Sequence, residues 1–303
     1  MSDRELIVLG TSSQVPTAER NHNGYLLRWG TERILFDPGE GTQRQLLRAG
    51  ESPAQITRIC VTHLHGDHCF GLPGVLQRMA MDHVVHDVTL HYPASGQREI
   101  DLLLALTCGL EGLALRLHPS EEGALIEPPP FRLLARRLEH RVDALGYRIE
   151  EPDSRRMLPD RLEAAGIGGV DVSRLIDAGS IDVGGRVVRL EDMSEPRPGQ
   201  RFAFVMDTRR CDAADALAEG ADMLVCEATF LAEHADLARR YGHMTAGEAA
   251  AVARDAGVRR LVLTHFSQRY PDLARRAAEE AGAIFDDVVV ADDLQRIPLP
   301  PRR

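Results

Sequence analysis

The residues His63-Leu64-His65-Gly66-Asp67-His68 place three imidazoles and a carboxylate within six positions. Twelve His in 303 residues would put three into a fixed pattern by chance about 0.02 times per chain, before the Asp is required. Imidazole nitrogen and carboxylate oxygen suit zinc and similar divalent ions. The run Arg58-Ile59-Cys60-Val61-Thr62 ahead of them reads as a strand. A short loop at its end can aim alternate side chains at two neighbouring ions.

Four further candidates stand where apolar runs end. These are His140 after 131–138, Asp207 after Phe202-Ala-Phe-Val-Met206, Glu227 after Met223-Leu-Val-Cys226 and His265 after Leu261-Val-Leu-Thr264. Groups at the carboxyl ends of strands in an α/β sheet converge on one rim. Residues far apart in sequence can thus share a site, and with the loop they supply enough ligands for two metals, a bridging carboxylate and an open water position. Thr245 and Glu248 form a capping box, which predicts that His243 lies two residues before a helix N-cap. His83 and His86 form an HxxH pair with no carboxylate pattern nearby, and they join His22, His91, His118 and His234 as structural or solvated residues.

The elements that must position these groups follow from periodicity. Strands are predicted at 5–9, 24–29 and 33–37, a helix at 42–49 ended by Gly50, and a strand at 57–62 that delivers the His cluster. An apolar helix follows Gly71-Leu72-Pro73-Gly74, then a strand at 88–92, a helix at 96–107 and strands near 113–118 and 131–138. From 202 onward the pattern is strand 202–206, helix 212–219, strand 222–226, helices 232–241 and 245–256, strand 259–264, helix 271–281 and strand 287–291. This alternation predicts an α/β chain with helices packed on sheet faces. Residues 150–200 are punctuated by Pro and Gly and carry eleven acidic residues against seven Arg, a net charge of −4; they read as an inserted arm.

A hydrophobic content of 44% is ample for a sizeable core. Five scattered Cys without a CxxC pair argue against a disulfide framework and a Cys-based zinc site, and favour a reducing cytoplasm. The segment Met1-Ser2-Asp3-Arg4-Glu5 is charged with no apolar stretch behind it, and no eighteen apolar residues run together, so neither secretion nor a membrane span is expected. A net charge of −10 argues against a generally basic nucleic-acid surface while leaving room for a local one. The chain contains no Lys, so all 36 basic residues are Arg.

The chain resembles the ribonuclease Z family of the metallo-β-lactamase superfamily, endonucleases that remove the 3′ trailer from precursor tRNA. The resemblance runs from Gly10-Thr-Ser-Ser13 with Pro16, Arg20 and Asn21 through Phe36-Asp-Pro-Gly-Glu-Gly-Thr-Gln-Arg-Gln-Leu-Leu47 to Thr62-His-Leu-His-Gly-Asp-His68 and Gly71-Leu-Pro-Gly74. It continues at His140 with Ala144-Leu-Gly-Tyr147, Asp207-Thr-Arg209, Cys226-Glu-Ala-Thr-Phe230, Gly242-His-Met-Thr245 with Glu248-Ala-Ala250, and Leu263-Thr-His-Phe-Ser267 with Arg269-Tyr270. The HxHxDH element specifies the superfamily, while Glu40, Glu227, His243 and Arg269 point to this family within it.

The resemblance implies a four-layer αββα sandwich formed by a single domain over 1–303, with 150–200 as an inserted arm in the position of a tRNA exosite. It implies two zinc ions, one held by His63, His65 and His140 and the other by Asp67, His68 and His265, with Asp207 bridging. Asp67 is implied as proton acceptor, Glu227 and His243 as the pair that presents a proton to the leaving oxygen, and Arg20, Asn21 and Arg269 as substrate contacts. A cytoplasmic homodimer acting on precursor tRNA is expected. Two departures stand out: Ala18 occupies a position where the family often has Lys, and the arm has Gly166-Ile-Gly-Gly-Val170 with Asp171 and Asp177 in place of a Lys-rich stretch. Two rivals share the ligands: a hydrolase of small phosphodiesters or aryl sulfates, and a non-catalytic zinc-containing RNA-binding subunit. Glu227 and His243 weigh against the last, and the three substrate contacts favour RNA.

Overall fold

Three extended segments at the start of the chain pair antiparallel as a meander: β1 (Glu5–Gly10), β2 (Gly24–Trp29) and β3 (Glu32–Phe36). The chain then crosses over through helices and adds β4 (Arg58–Cys60), β5 (Val88–Pro93) and β6 (Leu115–Ser120), each parallel to its predecessor. This is a computed structural model that describes residues 4–127, 130–270 and 272–302. A second sheet opens with the meander β7 (Gly123–Ile126), β8 (Arg132–Leu138) and β9 (Ala144–Glu150).

Residues 151–200 leave that sheet. They form two ribbons, β10 (Ser154–Met157) with β13 (Ser194–Arg197) and β11 (Ser180–Val183) with β12 (Arg186–Arg189), plus short helices at Pro159–Ala164 and Val170–Ala178. Leu162, Ile167, Leu175, Val188 and Met193 close a small core of their own. The sheet resumes with β14 (Arg201–Val205), antiparallel to β9, followed by the parallel strands β15 (Met223–Glu227), β16 (Leu261–Thr264) and β17 (Val288–Val290). The last strand, β18 (Arg296–Pro298), returns to pair with β1. Two seven-stranded sheets result, in the orders β18-β1-β2-β3-β4-β5-β6 and β17-β16-β15-β14-β9-β8-β7.

Three cores make four layers. Between the sheets, Tyr25 and Phe36 meet Tyr147, Phe202 and Phe204, with the Phe36 and Phe204 rings 4.6 Å apart. Helices Thr42–Arg48, Leu72–Met81 and Gln97–Ala105 bury Leu46, Val75, Leu76 and Ile100 against the outer face of the first sheet. Helices Asp212–Ala218, Ala246–Asp255 and Leu273–Gly282 cover the second with Ala214, Ala249, Val252 and Ala277. The αββα sandwich is therefore the fold. β14, β15 and β16 are buried on both faces, which is why they read as unbroken apolar runs.

Most predicted boundaries shift by one to three residues. The predicted helix 232–241 begins with a 3-10 turn at Ala232–His234, followed by a helix at Ala235–Tyr241. The predicted helix 271–281 starts on residue 271, and the charged segment begins at Met1–Asp3; both positions lie outside the described residues. β7, β9 and β18 had no prediction. In β9 a Gly and an Arg interrupt the apolar pattern, yet both are buried: Arg148 donates to Glu150 and to the Leu217 carbonyl.

One carboxylate ties distant segments together at the root of the arm. Glu151 accepts from Arg4 Nη1 and Nη2 at 2.8 and 2.9 Å, from Arg302 and from the Gln200 amide at 3.1 Å. Burial raises its pKa, but the hydrogen bonds from Arg302 and Arg4 outweigh burial and bring it from 4.5 to about 2. A depressed carboxylate stabilises the fold fully above its ordinary value and loses that contribution as pH falls through the folded value. Urea midpoints are therefore expected to drop between about pH 4.5 and 2, and Glu151→Gln should flatten that part of the profile. An unchanged acid dependence in the variant would count against the clasp.

Candidate metal centre and active site

β4, β8, β14, β15 and β16 end on one rim, and each delivers a polar group at or just beyond the end of its apolar stretch. β4 leads to Thr62 and the cluster His63–His68, β8 to His140, β14 to Asp207, β15 ends in Glu227 and β16 leads to His265. All seven nominated ligands meet there. His63, His65, His140 and Asp207 form one group, and Asp67, His68 and His265 another, with the ligand atoms within each group no more than 4.8 Å apart. Asp37, Asp207 and His265 hold positive φ values of 43°, 38° and 61°; such strain in non-Gly residues persists where the surroundings over-determine it, often at functional sites.

Asp207 stands between the groups. Its Oδ2 lies 3.5 Å from His63 Nε2 and 3.7 Å from His140 Nε2, and its Oδ1 lies 3.4 Å from His68 Nε2 and 3.1 Å from His265 Nε2. Asp67 Oδ2 closes the second group at 3.4 Å from His68 Nε2 and 3.5 Å from His265 Nε2. Tetrahedral zinc with ligands at about 2.0–2.1 Å separates those ligands by about 3.3 Å, so the spacings suit ions of that size.

Hydrogen bonds fix the tautomers. His68 Nδ1 donates to Asp37 Oδ2 at 2.8 Å, and His140 Nδ1 donates to the Gly242 carbonyl at 2.9 Å. Thr62 and Thr229 each donate a hydroxyl hydrogen bond to a carboxylate, Asp37 and Glu227 respectively, and so accept from His63 Nδ1 at 3.1 Å and His265 Nδ1 at 2.8 Å. Four imidazoles thus turn bare Nε2 lone pairs inward, while His65 presents Nδ1, 2.9 Å from His63 Nε2. His140 Nε2 and Asp207 Oδ1 are buried without a hydrogen-bonding partner among the described residues. Buried lone pairs with nothing to satisfy them are costly, and ring nitrogens held from behind are the usual support of metal-ligating His. The residues fit the binding of divalent metal.

The local field divides the imidazoles. Burial lowers the pKa of His63, His65 and His140, favouring the neutral form that can bind a cation. Burial opposes charge on His68 too, but the carboxylates of Asp207, Asp67 and Asp37 outweigh it and raise its pKa. The neighbouring imidazoles hold Asp67 and Asp207 well below the usual carboxylate range despite burial.

Beside the cluster, His243 Nδ1 donates to Glu227 Oε1 at 2.9 Å, and its ring centre lies 5.1 Å from that of His140 and 5.6 Å from that of His265. Glu227 is fully buried and also accepts from the Thr208 amide at 2.6 Å and the Thr229 hydroxyl at 2.6 Å. Against the burial penalty, Glu227 and Asp207 raise the His243 pKa to about 9. Thr245 caps the following helix with its capping box intact, so His243 stands two residues ahead of the N-cap as the sequence predicts.

The nominated substrate contacts sit differently. Arg269 is exposed near the rim, with its guanidinium 5.8 Å from the Phe230 ring. Arg20 is turned inward to Thr11, the Ala291 carbonyl and Asp292, and the Asn21 side chain donates to the carbonyls of Glu40 and His22. Sequence reasoning gave no role to Asp37, Thr62, Thr208 or Thr229. Asp37 carried a legible signal, an acid at the end of the apolar strand Ile34–Phe36; the threonines carried none.

Two facing sheets, outer helices and a His/Asp rim agree with the family comparisons: the Metallo-beta-lactamase superfamily matches residues 17–176, and the Beta-lactamase superfamily domain matches 184–266. A protein named Ribonuclease Z from Nocardia farcinica is 58% identical over 305 residues, covering 100% of both chains, and one from Streptomyces avermitilis is likewise 58% identical with 100% coverage of both. The crystal structure of human tRNase Z, short form, has a TM-score of 0.67 and 28% identity, covering 98% of this chain and 100% of its own. The chain belongs to the ribonuclease Z family.

Proposed function

We propose that the chain is a metal-dependent endoribonuclease that cuts the 3′ trailer from precursor tRNA, leaving a 3′-hydroxyl on the tRNA and a 5′-phosphate on the trailer. The observation that carries this reading is full-length identity of 58% to proteins named Ribonuclease Z, and the rim supplies the chemistry. His63, His65 and His140 would hold one zinc ion and Asp67, His68 and His265 the other, with Asp207 shared. Two such ions lower the pKa of water and stabilise charge on both sides of an in-line displacement at phosphorus.

The chain's own groups move the protons. Asp67, held from behind by the Gln14 amide at 2.8 Å, accepts the proton of the attacking water. His243 gives a proton to the leaving oxygen from Nε2, because Glu227 engages its Nδ1. A carboxylate-oriented imidazole is a common general acid near neutral pH. Arg269 meets a phosphate of the RNA from its exposed position.

The arm binds tRNA held by a second copy of the chain in a cytoplasmic homodimer. It leaves the sheet between the end of β9 and the start of β14, whereas Asp207 follows the end of β14. Six residues of extended chain at about 3.3 Å each put its root about 20 Å from its own rim, which supports service to a neighbour's site. Among the described residues no helix is long and apolar enough to cross a membrane.

The test is a trailer-bearing precursor tRNA beside a chromogenic phosphodiester, with the parent and with residues 155–195 replaced by a Gly/Ser linker. The small arm core is separate from the three main ones, so the linker variant should fold. Expected are one cut at the trailer junction by the parent, weakened tRNA processing by the variant, and equal hydrolysis of the small ester by both. A parent that cleaves only the small ester would contradict the assignment. Unchanged tRNA processing in the variant would remove the arm from substrate binding.

A further inference from the structure

The loop between β1 and β2 reaches the rim and is held by the segment that follows β17. Its polypeptide is pinned at Ser13 N to Phe266 O, 2.9 Å, and at Ser12 N to Asn21 O, 2.9 Å. Its tip reaches Asp67 through Gln14 N, 2.8 Å, with Gln14 at φ 59°. The other fastenings converge on two acids. Asp293 accepts from the Thr11 hydroxyl at 2.8 Å, the Asn21 amide at 2.7 Å and the Gln45 side chain at 3.2 Å. Asp292 accepts from Arg20 Nη2 at 2.7 Å, while Arg20 Nη1 donates to Thr11 Oγ1 and the Ala291 carbonyl. The Arg20 side chain is only 17% exposed and lies over the Phe266 ring at 5.2 Å, with most of its donors already engaged.

We infer that Asp293, with Asp292, is a positioning residue that locks the 11–22 loop through Thr11, Arg20 and Asn21, so that Gln14 N–H holds Asp67, and that Arg20 and Asn21 are anchors of this lock instead of RNA contacts. The inference rests on the proposed role of Asp67 at the rim. A carboxylate that accepts three hydrogen bonds from two other segments cannot lose them without releasing both. A shift of about 1 Å at a reacting group can cost up to about 10²-fold in rate. The lock therefore acts on turnover, and not on how tightly RNA is held.

The experiment compares the full-length parent with Asp293→Ala, Asp293→Asn, Thr11→Val and Arg20→Gln in the metal-loaded state. Precursor tRNA and a chromogenic phosphodiester are both assayed, and amide exchange is followed across residues 11–22. Expected are kcat losses of about 10- to 10²-fold on both substrates for Asp293→Ala, a KM for precursor tRNA within about twofold of the parent, and faster exchange at Gln14 and Asn21. Asp293→Asn keeps one acceptor and should recover part of kcat. Thr11→Val nearly preserves shape, so it should show the same split even where Asp293→Ala fails to fold. Arg20→Gln should follow the turnover pattern on both substrates. The inference is overturned if Arg20→Gln raises KM for precursor tRNA and spares the small ester, or if Thr11→Val and Asp293→Asn match the parent in kcat and exchange. A parent that never cleaves precursor tRNA refutes the functional proposal instead, because kcat on the small ester and amide exchange still report on the lock.

Discussion

Asp67→Ala is expected to abolish processing of precursor tRNA, with kcat falling by at least about 10⁴-fold, as when a residue acting in concert with its neighbours is removed. Asp67 Oδ2 faces His68 Nε2 and His265 Nε2 and is fixed by the Gln14 amide. In the proposed function this carboxylate is both cation ligand and proton acceptor, so Ala would remove both roles together. Asp67 lies in none of the hydrophobic cores, so the variant should keep the parent's circular dichroism. The melting temperature of metal-stripped protein should move by only a few degrees, and the small-ester activity should disappear as well. Retention of even a tenth of the parent's kcat would show that the acceptor lies elsewhere.

His243→Ala should lower kcat on precursor tRNA by about 10²- to 10⁴-fold, the usual weight of a general acid, with little change in KM. The loss depends on the leaving group. A 4-nitrophenolate needs no proton to depart, so a 4-nitrophenyl phosphodiester should lose much less than tRNA does. Glu227→Gln should fall between parent and His243→Ala, since the amide can accept from Nδ1 but no longer carries the charge that raises the imidazole pKa. With that pKa brought from 6.5 to about 9, the pair's stabilisation is full below the ordinary value and disappears as pH rises through about 9. Equal losses on both substrates would assign His243 to positioning and not to proton transfer.

The sequence made the rim legible because its chemistry is concentrated. HxHxDH is dense, and Asp207, Glu227 and His265 each follow an apolar run whose end a strand pattern locates. The parallel strands were readable for the same reason, since burial on both faces selects unbroken Val, Leu and Ile runs. What escaped was pairing at a distance. Nothing local to Thr62 or Thr229 announces that its hydroxyl donates a hydrogen bond to Asp37 or Glu227 and so fixes the tautomer of a neighbouring imidazole. β9 escaped because Arg148 looks like a surface residue until Glu150 and the Leu217 carbonyl are placed beside it. The Arg20 guanidinium and the Asn21 amide also reach Asp292 and Asp293, 272 residues away, a separation no local pattern reveals. In the arm, Gly and Pro mark turns but do not say that the short pieces between them close a core.

Trailer removal from precursor tRNA is expected to require metal held by the residues of this rim. The most direct test of this expectation is a titration of zinc into chelator-stripped protein, with trailer release from precursor tRNA followed on a gel. Release should be absent in the stripped protein, rise with added zinc and level off at about two ions per chain, with a single cut that leaves a 3′-hydroxyl on the tRNA. Full cleavage by the stripped protein, or a chain that binds two ions and leaves precursor tRNA intact, would contradict it.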